Sequence, residues 1–168
     1  SLPEHFILAT LHRAENTDSP ERLQSIIAAL EEIAREMPVV IPIHPRTRKK
    51  LQELNFDFKQ TRLQLVDPVG YLEMVHLLKH CSLVATDSGG LQKEAYFFKK
   101  YCITLRTETE WVELVEQGAN IITGWKYEDI LNSYKQLKHT TKDVFSSPLY
   151  GAGQAGHIII RELQRIDS

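Results

Sequence analysis

Hydrophobic residues along this chain follow two alternating patterns. Short, nearly unbroken apolar runs occupy residues 6–11, 39–44, 63–66, 83–86, 102–105 and 120–122. Runs of this length without polar alternation predict strands buried on both faces of a sheet. The first reads Phe6-Ile7-Leu8-Ala9-Thr10-Leu11 and the second Val39-Val40-Ile41-Pro42-Ile43-His44. Between the runs, apolar positions recur every three or four residues and predict helices. Ser19-Pro20 supplies an N-cap and a first-turn proline. Leu23, Ile26, Ile27, Leu30, Ile33, Ala34 and Met37 then follow at helical spacing until Pro38 ends the segment. Further helices are predicted over residues 46–54, 71–80, 90–98, 111–117, 127–138 and 154–166.

Strands that alternate with helices imply right-handed βαβ units. The fold class is therefore α/β: a Rossmann-like three-layer α/β/α arrangement around a mainly parallel sheet. Residues 1–168 read as one domain, with residues 140–153, which include Ser146-Ser147-Pro148, as a possible hinge before the terminal helix. A sheet that begins at residue 6 is expected of a domain taken from a longer protein.

Composition narrows the function. With 168 residues, 42% of them hydrophobic and 25% charged, the chain can bury a core without disulfides or metals. A formal net charge of −2 lacks the basic excess of a nucleic-acid surface. No apolar run spans a bilayer, and residues 1–5 have no signal-peptide pattern. Cys81 and Cys102 sit among apolar residues without CxxC spacing, so buried free thiols in a reducing cytoplasm are expected. The seven histidines show no zinc-type spacing, and no metal or cofactor is expected.

In parallel sheets, ligands bind beyond the carboxyl ends of the strands, so the polar residues after each strand carry the candidate chemistry. Asp87-Ser88-Gly89-Gly90 follows a strand and opens a helix. Glycines allow close backbone approach, and the free N–H groups of a helix start favour an anion. Glu94 lies one turn after Gly90 on the same face, where its carboxylate can accept bonds from a ribose diol. A plain capped turn with a solvated glutamate accounts for the segment equally well. Thr10-Leu11-His12-Arg13-Ala14-Glu15-Asn16 and Ile43-His44-Pro45-Arg46 bring histidines and arginines to the same sheet edge, as donors for phosphate or carboxylate or as charges that satisfy one another. Arg106-Thr107-Glu108-Thr109-Glu110 and Asp67-Pro68-Val69-Gly70-Tyr71 end two further strands. Gly151-Ala152-Gly153-Gln154-Ala155-Gly156 matches GxGxxG, but no strand precedes it and no acid follows at the required distance, so it is read as a turn.

These segments, in this order, resemble the C-terminal domain of the non-hydrolysing UDP-N-acetylglucosamine 2-epimerases. The resemblance is carried by Thr10 to Asn16, Asp87-Ser88-Gly89-Gly90 with Gln92 and Glu94, Arg106 with Glu108-Thr109-Glu110, and Tyr150-Gly151 with Gly153-Gln154-Ala155. It implies one half of a GT-B fold, with the active site between two Rossmann-like domains. It further implies that Ser88, Gly89 and Gly90 bind the diphosphate of UDP, that Glu94 binds the ribose, and that Val69 and Met74 face the uracil. His12 would be catalytic, with Arg13, Glu15 and Arg106 among the substrate-binding residues. Arg13 and His44 match positions that help form a second, regulatory UDP-sugar site in some members. The implied reaction interconverts UDP-N-acetylglucosamine and UDP-N-acetylmannosamine by UDP elimination and re-addition. The implied partners are UDP, the UDP-N-acetyl-amino sugar, an N-terminal domain of the same enzyme and, at full length, a second copy in a homodimer. Thr107, Trp111 and Ala152 depart from the family pattern; the first two leave the exact sugar open, and the third touches the return of the last helix and the hinge more than the chemistry. A GT-B glycosyltransferase donor domain and a non-catalytic UDP-sugar sensor are the alternatives. This domain alone is expected to be inactive, because the carboxylates for the sugar chemistry belong to the other domain.

Overall fold

Strand β1 (Ile7–Thr10) is buried along its whole length, which explains why its sequence is apolar without alternation. Its side chains still divide by the strand period: Ile7 and Ala9 enter one core, Phe6 and Leu8 the other. The computed structural model describes residues 2–146, 149 and 150. The expected helix 154–166, the GxGxxG segment, Ala152 and most of Tyr150-Gly151 to Ala155 lie outside the described residues.

All six predicted strands form. After β1 come β2 (Val39–Pro42), β3 (Gln64–Val66), β4 (Leu83–Thr86), β5 (Cys102–Thr104) and β6 (Asn120–Ile122). They make one six-stranded sheet in the order β3-β2-β1-β4-β5-β6. Each neighbouring pair is parallel, so the mainly parallel expectation is met in full.

Helices cover both faces. On one, α2 (Pro20–Ile33), α3 (Pro45–Glu53) and α7 (Tyr127–Lys138) pack Leu23, Ile26, Leu30, Leu51, Ile130 and Leu137 against the sheet. On the other, α4 (Tyr71–His80) and α5 (Gly89–Phe97) contribute Leu77, Leu78, Leu91 and Ala95. A smaller cluster joins Leu114 of α6 (Val112–Glu116) to Tyr96, Ala119 and Val144. Val144 sits inside the segment read as a hinge, and its carbonyl accepts from the Gln117 side chain at 3.0 Å.

Beyond shifts of one or two residues at element ends, two features differ from the sequence reading. Helix α2 starts as expected, with the Ser19 hydroxyl accepting from the Arg22 N–H at 3.4 Å, but it ends at Ile33 rather than Met37. Pro38 disfavours helical geometry in the residue before it, so residues 34–36 form a turn, and Met37 still packs on the core. A single-turn helix, α1 (Ala14–Thr17), also forms. Its four residues carry no apolar repeat to announce it.

The strand order places the site. From β1 the chain builds outward through β2 and β3, then crosses the sheet and continues from β4 on the other side of β1. The loops leaving β1 and β4 therefore diverge, and a crevice opens between them at the carboxyl edge.

Candidate functional site

The two diverging loops are tied at their roots. Thr10 and Thr86, the last residues of β1 and β4, share a hydroxyl–hydroxyl bond of 2.6 Å, and the Thr86 hydroxyl accepts from the Ser88 N–H at 2.9 Å. Above them lies Asp87, with no exposed surface. Its carboxylate accepts the main-chain N–H of His12 at 3.2 Å and of Arg13 at 2.9 Å, and the Asn16 amide at 3.3 Å. The same amide reaches the Leu105 carbonyl at 2.9 Å. On the far side, the Thr47 hydroxyl of α3 donates to the Leu11 carbonyl at 2.6 Å. The β1 loop is thus held by β4, β5 and α3 together.

This scaffold leaves a cleft of about 300 Å³, at the lower end of small-molecule sites. His12, His44, Ser88, Gly90 and Glu94 form its polar lining, and Leu11, Pro42, Pro68, Val69 and Met74 its apolar wall. The cleft therefore collects His12, His44, Val69, Met74, Ser88, Gly90 and Glu94 from four separate stretches of sequence.

At the start of α5, Ser88 is the N-cap, its hydroxyl accepting from the Leu91 N–H at 3.4 Å. The Gly89 and Gly90 N–H groups precede the first intrahelical bond and make a ready anion site. The two glycines differ in purpose. A Cβ on Gly90 would meet nothing within 4 Å, whereas one on Gly89 would collide with the Glu110 carboxylate. Gly90 leaves room for a ligand; Gly89 leaves room for a neighbouring side chain.

His12 is half-exposed, and its Nδ1 lies 3.2 Å from the Asp87 carboxylate. That contact with Asp87 raises the imidazole pKa, outweighing partial burial and the nearby Arg13 cation. His44 caps α3 by accepting the Arg46 N–H on Nδ1 at 3.2 Å.

The remaining predicted residues stand outside the cleft lining. Arg13 anchors its loop through its main chain. Glu15 pairs with Arg22. Gly89 is enclosed by Glu110 and by Trp111, whose indole donates to the Gly89 carbonyl at 2.8 Å. Arg106 pairs with Glu110 at 2.6 Å, bracing the α5 start from behind. Glu110 is held below the usual carboxylate range by its own backbone N–H and, after that, by Arg106. Reading the sequence missed the structural parts played by Asp87, Asn16, Thr10 and Thr86. Asp87 carried a signal, since an acid directly after a fully buried strand must find donors. Among the described residues, no cluster of three or more His, Cys, Asp or Glu side chains could hold a metal.

A doubly wound parallel sheet with a glycine-rich helix start at its switch point defines a Rossmann-like domain. The chain belongs to the UDP-N-acetylglucosamine 2-epimerase family, whose family model matches residues 1–164. It is 52% identical over 163 residues to the UDP-2,3-diacetamido-2,3-dideoxy-D-glucuronate 2-epimerase of Pseudomonas aeruginosa, an alignment covering 96% of this chain and 45% of that protein. It is 40% identical over 167 residues to the UDP-N-acetylglucosamine 2-epimerase of Methanocaldococcus jannaschii, covering 96% and 45%. The solved structure of UDP-GlcNAc 2-epimerase from M. jannaschii superposes with a TM-score of 0.86 at 39% identity, covering 98% of this chain and 47% of that one. The same enzyme in complex with UDP-GlcNAc and UDP gives 0.81, covering 96% and 46%. The chain spans about half the length of the curated relatives it matches. The family resemblance and the fold class read from the sequence are both borne out.

Proposed function

We propose that this chain holds the UDP moiety for an enzyme that inverts C2 of a UDP-activated 2-acetamido sugar by eliminating UDP and adding it back. One observation carries the reading: a single cleft is lined both by groups that favour an anion and by apolar side chains. Gly90, Ser88 and His12 are among the first, and Val69 and Met74 belong to the apolar wall. Glu94 stands about one helical turn beyond Gly90, about 6 Å along the axis, a spacing suited to a ribose next to a diphosphate. The departing UDP gains negative charge as its bond to C1 breaks. A helix start and a cationic His12 are placed to stabilise that charge where it develops. Arg106 and Gly89 support the cradle from behind, and Arg13 and Glu15 shape the loop that carries His12.

In this reading the rest of the same enzyme closes the cleft and supplies the base for the sugar, the full-length molecule is a homodimer, and it works in the cytoplasm. The substrate in the first reading is UDP-N-acetylglucosamine, as in the solved M. jannaschii complex. A second reading, a UDP-2,3-diacetamido uronate, is favoured by the higher identity to the P. aeruginosa enzyme, 52% against 40%.

Titration calorimetry of the chain with UDP, UMP and uridine tests the nucleotide site. UDP should bind measurably and more tightly than UMP, and uridine least. Equal affinity for UDP and uridine would remove the phosphate cradle and the proposed function with it.

A further inference from the structure

A carboxylate buried as fully as Asp87 is stable only where donors match its oxygens. Among the described residues, every donor comes from the loop and helical turn that follow β1. They are the N–H groups of His12 and Arg13, the Asn16 amide and the His12 ring. Among the described residues, the ion-pair partner of Asp87 is His12, with Nδ1 at 3.2 Å. The His12 ring also lines the cleft and keeps 47% of its side chain exposed. One ring nitrogen is therefore engaged by buried protein, and the other remains for a ligand.

We infer that Asp87 is a positioning residue for His12: it engages Nδ1–H and leaves Nε2 as the nitrogen presented to the anionic ligand in the cleft. Because the same carboxylate holds the main chain at His12 and Arg13, it sets the position of the ring as well as its orientation. The groups facing His12 act in both directions. Asp87 favours the imidazolium and Arg13 opposes it, while His44 and Glu94 line the same cleft. Asp87 prevails, so the ring stays cationic to higher pH than a free histidine. A charged Nε2–H donor is the form that bonds a phosphate oxygen strongly. The inference rests on the reading of the cleft as a UDP site.

Nitrogen-15 NMR of the histidine rings in the 168-residue chain tests it without any substitution. Above its titration midpoint, the neutral His12 ring should keep its proton on Nδ1. A proton found on Nε2 would overturn the inference. Asp87→Asn should lower the His12 midpoint by about one pH unit, the low end of what an opposite charge at contact distance does. It should also weaken UDP binding in the parent background far more than in a His12→Gln background. An equal loss in both backgrounds would make Asp87 a loop scaffold only and overturn its action through His12. If Asp87→Asn does not fold, the tautomer measurement still decides. That measurement uses no UDP, so its failure is separate from failure of the UDP reading, which calorimetry decides.

Discussion

Glu94 is the one carboxylate among the described residues that line the cleft, and its place follows from helix geometry alone. Gly90 and Glu94 are four residues apart in α5, on one face, while Leu91 and Ala95 turn into the core. If Glu94 accepts bonds from a ribose diol, Glu94→Gln should weaken UDP binding by about 1–3 kcal/mol, the range for a charged hydrogen-bond partner, with no change in melting temperature. Calorimetry beside a thermal melt checks this; unchanged affinity would leave Glu94 a solvated helix residue. The placement of Glu94 was legible because it depends on near neighbours in the chain. The role of Asp87 was not, because its partners His12 and Arg13 lie 75 and 74 positions away and meet it only when β1 pairs with β4. The thiols were legible for the opposite reason, since their surroundings are local and apolar. Burial pushes Cys81 to about 11 and Cys102 to about 12, which leaves both unreactive near neutral pH.

At the scale of elements, helix ends show where sequence and backbone agree and where they conflict. Helices α3, α5 and α6 close in the same way. The residue after the C-cap takes a left-handed conformation and donates to the carbonyl three back, and the next residue donates to the carbonyl five back. The left-handed positions are Asn55 (φ 56°), Lys99 (φ 56°) and Gly118 (φ 83°). Glycine and asparagine suit that geometry, but lysine does not, since a Cβ there costs on the order of 1 kcal/mol. Lys99→Gly should therefore raise unfolding stability by about 0.5–1 kcal/mol, the lower gain reflecting glycine's extra freedom in the unfolded chain. Denaturant unfolding reads the difference, and a destabilised variant would show that the lysine side chain makes a contact worth more than the strain. The strands and longer helices were legible because burial on both faces demands unbroken apolar runs and burial on one face demands a helical repeat. The one-turn α1 was not, because it is held by Asp87 and Leu105 through Asn16 and not by any periodicity of its own.

For the whole molecule, the question is what a one-sided cleft can do. Its walls come from the carboxyl edge of a single sheet, and the polar lining is a helix start, two histidines and one carboxylate. That set suits gripping and stabilising an anion. Inverting C2 asks for more: a base must take the C2 proton, an acid must return one to the opposite face, and water must be kept from the unsaturated sugar. Opposite faces of one carbon need groups from opposite walls, and the relatives this chain matches are about twice its length. The 168-residue chain should therefore bind UDP yet produce no C2 epimer from UDP-N-acetylglucosamine or from the 2,3-diacetamido uronate. Proton NMR in deuterated water gives a sensitive reading, because each turnover through a C2 carbanion or elimination step would replace the C2 proton by deuterium even when the sugar returns to its starting configuration. Binding by calorimetry with no deuterium at C2 is the expected pair of results. Exchange at an enzyme-like rate would mean that the sheet edge supplies its own base, with His12 and His44 the first candidates, and would overturn the proposal that the base comes from outside this chain.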